Sequence, residues 1–385
     1  MMGRHTDTEA EQAARRLISI LDSLLAIPTP NPPGNEAAAA EFLEKLFAPF
    51  GLPTHRIPLA PGRESLTVVL PGRRPDSVAL CGHLDTVPPA TERWTYPPFE
   101  ATIQDQRIYG LGTADMKGGV ACIADAALDL LESGTKTDHT IILAFTADEE
   151  GHMEGARSLV TAGVFAQTKF LVIAEPTDGR VYVGEKGQLW LRIAFKGLAT
   201  HGSTPSLGRN AVLAAAEAAL HLEKRATTKA RDEEVTLNVG RLAGGERVNA
   251  VPEYAELDLD VRFAEPSQGD TLLKEVQELA HEVEVARQVT ATLTVLRHLP
   301  PLRTDAADVY LQTLTTAVSA TLGRGLQADL APYATDAKVI VPQIHIPFAI
   351  FGPGSIAQAH GPDEYVSLSS LVQTKLALVS FLREL

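Results

Sequence analysis

Cysteine is nearly missing from this chain: Cys81 and Cys122 are the two thiols in 385 residues. They make no disulfide framework, and a reducing compartment is the expected setting. Basic residues are outnumbered, 34 Lys and Arg against 48 Asp and Glu, for a formal net charge of -14. That deficit argues against a phosphate-binding surface, so nucleic acid is not an expected partner. No apolar run is long enough to span a bilayer, and no membrane role is expected. The opening segment MMGRHTDTEAEQAARR is polar and lacks the apolar run of an export signal. The expected location is therefore the cytoplasm. Internal repeats and low-complexity tracts are absent as well.

What is present is an ordinary globular composition, 45% hydrophobic and 21% charged. One hydrophobic core rarely serves so long a chain, so two domains are expected. Leu17, Ile18, Leu21, Leu24 and Leu25 fall at helical spacing, TPNPPGN (29–35) breaks that helix, and AAAAEFLEKLF predicts a second. The apolar runs LTVVL (66–70), SVALCGH (77–83), TIILAFTA (140–147) and FLVIAE (170–175) read as buried parallel strands, with a helix over about 117–132 among them. Near residue 186 the pattern changes. QLWLRIAFKG alternates, an alanine-rich helix follows over 210–225, and then come EVTLNVGRL, YAELDLDVRF, a helix near 267–283 and TATLTVLRH. Strand–helix–strand–strand–helix–strand is the order of a ferredoxin-like unit. The α/β pattern resumes near 300 with helices at 305–322 and 367–384 and the strand PFAIFG between them. The expected fold is thus α/β with a mostly parallel central sheet, in a discontinuous domain (1–186 and 298–385) interrupted by an α+β domain (187–297).

The ionisable residues cluster where that fold places sites. His83 and Asp85 follow one apolar strand, Asp148, Glu149 and Glu150 a second, and Glu175 a third. Asp115 sits in the glycine-rich stretch GLGTADMKGG just before a helix, and His360 lies in a loop after a fourth strand. Sites in open α/β sheets form outside the carboxyl ends of strands, where these loops converge. Imidazole and carboxylate together suit zinc, and a carboxylate can bridge two ions. Of adjacent Glu149 and Glu150, one can ligate and the other remain a general base, because consecutive side chains point in different directions. Each signal alone is weak; an HxD or a DEE is usually a turn or a solvated face. Their joint occurrence at strand ends predicts a two-metal centre. Cys81, beside His83, reads as a small buried hydrophobe. His139, His221 and His298 belong to no constellation and read as surface residues. Trp94 and Tyr96 either line a substrate or pack a loop.

CGHLDTVPP (81–89), GLGTADMKGG (110–119), TADEEGHMEGA (146–156), VIAEPT (172–177), KGLATHGSTPSLGRNAV (196–212), NAVPEYAELDLDVRF (249–263) and GPGSIAQAHGPDEY (352–365) occur in order. In these segments the chain resembles the M20 family of metallopeptidases from about residue 15 to its end. The resemblance implies a catalytic domain carrying two zinc ions, with cobalt or manganese as substitutes, and a lid domain that mediates homodimerisation. Asp115 would bridge the metals, His83 and Glu175 would complete one site, and Glu150 and His360 the other. Glu149 would be the general base, and Asp85 would orient His83 by accepting its second N–H. A cis peptide after Asp115 is implied. In the lid, His201 would steady the oxyanion, while Asn249 and Arg262 would contact substrate, Arg262 at a carboxylate.

The reaction so implied is hydrolysis of the amide bond of a small N-acyl amino acid, with N-acetylornithine the leading substrate. Succinyl-diaminopimelate and dipeptides are rivals. Asp336, in ATDAKVI, either reads a cationic side chain or caps the helix that follows. A reading of another class, a non-catalytic solute-binding protein, would not need Glu149 beside Glu150.

Overall fold

The computed structural model describes residues 9–91, 93–229, 235–323 and 329–385. The chain divides into two compact units, one of Met1–Gly184, Arg303–Ala331 and Thr335–Leu385, the other of Glu185–Leu302 with Pro332–Ala334. The second unit begins near the pattern change at 186, and the first returns at Arg303. The return lies about five residues later than 298, because the last strand of the second unit runs on through Leu299.

In the first unit the strands are β1 (Thr54–Ala60), β2 (Arg63–Leu70), β3 (Ser77–His83), β4 (Thr102–Gln104), β5 (Arg107–Tyr109), β6 (Thr140–Thr146), β7 (Thr168–Pro176) and β8 (Tyr182–Glu185). The second unit holds β9 (Gly187–Lys196), β10 (Thr236–Gly244), β11 (Tyr254–Phe263) and β12 (Thr290–Leu299). After it come β13 (Leu302–Arg303), β14 (Asp329–Ala331), β15 (Phe348–Gly352) and β16 (Tyr365–Ser367). The large sheet runs β1-β2-β6-β3-β7-β15-β8-β13, with β14 beside β8. At its centre β6, β3, β7 and β15 are parallel neighbours. Every residue of β3 is buried, as expected of a strand covered on both faces.

The run 66–70 departs from expectation: β2 is antiparallel to β6. It is the second arm of a hairpin with β1, turned at Pro61 and Gly62, where Gly62 takes φ 77°. The apolar run alone could not reveal this, because β2 is nearly as buried as the parallel strands at the centre of the sheet.

Helices α1 (Glu9–Leu25), α2 (Glu36–Phe47), α3 (Lys117–Glu132) and α4 (Glu154–Thr161) precede the second unit. Leu17, Leu21, Leu24 and Leu25 bury one face of α1, the i, i+4, i+7, i+8 stripe of an amphipathic helix. α3 is buried along nearly its whole length and packs against β3 and α1. Its close approach to the sheet requires glycine: a Cβ on Gly119 would lie 2.0 Å from the carbonyl oxygen of Ala174, the residue before Glu175.

The second unit has α5 (Ala211–Lys229) and α6 (Pro266–Arg287) on a sheet ordered β10-β11-β9-β12, antiparallel throughout. Leu189, Leu191, Ile193 and Phe195 of β9 meet Leu257, Leu259, Val261 and Phe263 of β11 in a separate hydrophobic core. The period-2 alternation seen in the sequence is the buried face of this sheet. The chain closes with α7 (Val309–Leu322), α8 (Ala337–Ile344) and α9 (Leu368–Arg383); among the described residues no helix is long and apolar enough to cross a membrane.

His139 is not a surface residue. It is 8% exposed, with Nδ1 3.1 Å from Asp76 Oδ2 and its ring edge-on to Tyr310. His221 and His298 are exposed as expected, the His298 ring lying near Phe263.

Candidate metal centre

Strand register brings the acids and histidines to one rim. In the parallel pairs Thr146 lies opposite His83, and Cys81 opposite Ile173. His83 and Glu175 therefore stand two residues beyond a matched pair, and Asp148, Glu149 and Glu150 emerge just past Thr146. β15 ends at Gly352, and the loop after it carries His360. Asp115 precedes α3, and the Asp115–Met116 bond is cis.

Two groups of metal-ligating atoms result among the described residues: His83, Asp115 and Glu175, and Asp115, Glu150 and His360. Asp115 belongs to both. Its Oδ1 lies 3.0 Å from His83 Nε2, and its Oδ2 3.3 Å from His360 Nε2. Glu175 Oε1 is 3.5 Å from His83 Nε2, and Glu150 Oε1 3.3 Å from His360 Nε2. Four ligands at 2.0–2.1 Å from a zinc ion stand about 3.3–3.4 Å apart along the edges of a tetrahedron. The donor types and their spacing therefore fit a pair of cations sharing one carboxylate.

Electrostatics agree with a cation-binding cluster. Burial disfavours a charged His83, yet its hydrogen bond to Asp115 and the charges of Glu175 and Glu149 hold its pKa well above the usual value. His360 is pushed up to about 10 by hydrogen bonds to Asp115 and Glu150. Burial, with Glu175, Asp336 and Glu150 adding to it against His83, holds the Glu149 carboxyl well above the carboxylate range. Negative charge packed this densely is relieved by positive charge.

Asp85 is placed differently from expectation. The His83 Nδ1 partner at hydrogen-bond distance is the Asp85 backbone carbonyl, at 2.9 Å, while the carboxylate oxygen is 3.6 Å away. The carboxylate instead accepts from the backbone N–H groups of Glu149 and Glu150, each at 3.1 Å. It thus holds the Glu149–Glu150 segment, and the peptide carbonyl orients the imidazole.

Other residues support the rim without a signal in their local sequence. Glu364, four residues after His360, accepts from Ala114 N and Asp115 N at 2.8 and 3.0 Å. It ties the His360 loop to the Asp115 loop, and burial beside Asp115 pushes its pKa up to about 7. Lys117 is buried, with Nζ donating to the carbonyls of Leu24 and Ile27 near the end of α1. The apolar stem fits along the chain while the ammonium finds carbonyl partners. Asp336 does not cap α8 through its side chain; it accepts from Thr146 Oγ1 at 2.6 Å. Cys81 is fully buried, and burial raises its thiol pKa, which suits an inert packing role. Tyr96 stacks on Tyr109, and the N–H groups of Thr95 and Tyr96 donate to Asp363, so this segment packs a loop.

In the second unit His201 is exposed, its Nδ1 2.7 Å from Ser203 Oγ, and it pairs in a short antiparallel bridge with Ala250, next to the exposed Asn249. Arg262 is clasped by Asp260 on its own strand, at 2.8 and 3.0 Å. That carboxylate takes the Nε and Nη2 side of its guanidinium.

A family model described as peptidase family M20/M25/M40 matches residues 79–384. The acetylornithine deacetylase of Photorhabdus laumondii is 34% identical over 336 residues, 85% of this chain and 84% of that protein. A probable succinyl-diaminopimelate desuccinylase of Staphylococcus aureus is 27% identical over 403 residues, covering 95% of this chain and 98% of that one. Among solved structures, a tripeptidase of Staphylococcus aureus superposes with a TM-score of 0.82 at 22% identity, over 96% of this chain and 98% of the other.

Proposed function

The chain belongs to peptidase family M20/M25/M40, and from that premise we propose that it hydrolyses the amide bond of a small N-acylated amino acid at a pair of divalent cations. The observation that carries this reading is Asp115, common to both ligand groups, with Glu149 beside the ligand Glu150. His83 and Glu175 would hold one cation with Asp115, and Glu150 and His360 the other. Zinc suits this donor set, and cobalt or manganese could take its place. When bound, the cations supply Lewis acidity toward the carbonyl and make a water nucleophilic near neutral pH.

The remaining chemistry falls to side chains. Glu149 takes the proton of the attacking water and returns it to the leaving amine. Burial raises the affinity of this carboxyl for a proton, which suits a group that carries one from water to amine. Asp85 fixes the backbone from which Glu149 projects. His201 donates to the oxygen of the scissile carbonyl as charge develops there, and Asn249, its neighbour, contacts the substrate. For Arg262 the clasp by Asp260 favours a strand-surface ion pair over a substrate contact.

N-acetylornithine is the leading substrate, supported by the relative of that activity at 34% identity. Succinyl-diaminopimelate comes second, supported by the relative at 27%. We also propose homodimerisation through the second unit, where Leu213, Leu220, Leu242, Val248, Val295 and Leu296 are exposed. A cytoplasmic location is proposed from the composition.

The substrate is tested by comparing kcat/KM for N-acetylornithine, other N-acetyl amino acids, succinyl-diaminopimelate and simple dipeptides on metal-loaded protein. N-acetylornithine is expected to be turned over fastest. Preference for succinyl-diaminopimelate or a dipeptide would overturn the substrate while leaving the metal chemistry intact.

A further inference from the structure

Behind the rim, a polar relay runs from the Glu149–Glu150 backbone to the N-terminal part of the chain. Asn31 lies at its centre. Its Nδ2 donates to Asp85 Oδ2 at 2.9 Å and to Asp148 Oδ1 at 3.0 Å. Each of these carboxylates anchors one side of the same turn. Asp85 accepts from the N–H groups of Glu149 and Glu150. Asp148, at φ 67°, accepts from those of His152 and Glu154. Two carboxylates facing one another repel unless a donor stands between them, and the amide nitrogen of Asn31 is such a donor.

Asn31 is itself fixed. Its N–H donates to Thr86 O, Thr86 N donates back to Thr29 O, and Thr29 Oγ1 donates to Leu84 O. Residues 29–31 thus lie along the segment after His83. On the far side Arg63 donates to Asp148 Oδ1 and pairs with the fully buried Glu36, which accepts from Asp148 N. The turn is held from both ends, and Asn31 sets the separation of the two carboxylates that hold it.

We propose that Asn31 is a positioning residue for the Glu149–Glu150 pair, keeping one carboxylate on the cation and the other on the proton path; this rests on the function proposed above. The side-chain hydrogen bonds of Asn31 go to Asp85 and Asp148. It acts through these two carboxylates. Asn31→Asp would set a third carboxylate against the two, so its effect should exceed that of Asn31→Ala.

The test uses the full chain loaded with Zn2+, comparing Asn31→Ala, Asn31→Asp and Glu149→Gln. Hydrogen exchange over residues 147–153 reads the turn directly. At the Glu149 and Glu150 amides it should quicken by at least about tenfold in both Asn31 variants, with α3 and β3 unchanged. In parallel kcat should fall on the order of 10²-fold with KM within about twofold, the signature of a misplaced group. Unchanged exchange at those amides would overturn the proposal. So would loss of protection throughout the unit, or failure of both Asn31 variants to fold, because the role would then be structural. Wild-type kcat in Glu149→Gln would instead sink the reading of the site, and the exchange result would still judge Asn31.

Discussion

Glu149→Gln is expected to lower kcat by about 10²–10⁴-fold, the usual contribution of a positioned acid–base group, while the protein keeps two bound metal ions. Glutamine preserves the shape and can still accept a hydrogen bond, but it cannot carry a proton. The neighbouring substitution should behave differently. Glu150→Gln weakens one of the two ligand groups, because Glu150 lies with His360 and Asp115 in that group. Its activity should recover in part as metal concentration is raised, and that of Glu149→Gln should not. The comparison separates two acids adjacent in sequence, and it is read by kcat measured at rising metal concentration beside metal content. Loss of metal in Glu149→Gln, or wild-type kcat, would contradict the division of roles.

Asp115→Ala should have the larger effect on metal binding. Its two oxygens face His83 and His360 separately, so the substitution removes a ligand from both groups together. Loss of a residue that merely supports a ligand typically costs 10–100-fold in metal affinity, and loss of a shared ligand should cost more. The expected result is less than one ion per chain where the wild type retains two, with activity at background. His360→Ala should spare the group of His83, Asp115 and Glu175 and retain about one ion. Elemental analysis after dialysis distinguishes these outcomes; two retained ions in Asp115→Ala would deny it the shared role.

Much of this candidate centre is legible in the sequence because most of its residues follow an apolar run. Buried parallel strands announce themselves by composition, and residues just past their ends must gather at one edge of the sheet. His83, Glu149, Glu150 and Glu175 stand at such positions. Asp115 and His360 sit in loops, and their distinctive neighbourhoods drew attention to them. The supporting residues left no such mark. Asn31 is separated from Asp148 by 117 positions, and Glu364 from Asp115 by 249. Their polar side chains look like ordinary loop residues until the chain is folded. The role of Asp85 is hidden in the sequence for a related reason. An HxD spacing suggests a carboxylate behind the imidazole, but the backbone after His83 puts the Asp85 carbonyl there, and the carboxylate meets the next loop. The antiparallel β2 and the buried His139 were hidden likewise, since neither strand direction nor burial of a lone histidine follows from local pattern.

The shared carboxylate has one most direct measurement. Metal-free protein is titrated with Zn2+ while bound metal and hydrolysis of the best N-acyl substrate are followed together. Activity should rise with occupancy and level off at two ions per chain. Full activity in the metal-free protein, or a plateau with a single ion bound, would contradict a centre built on Asp115.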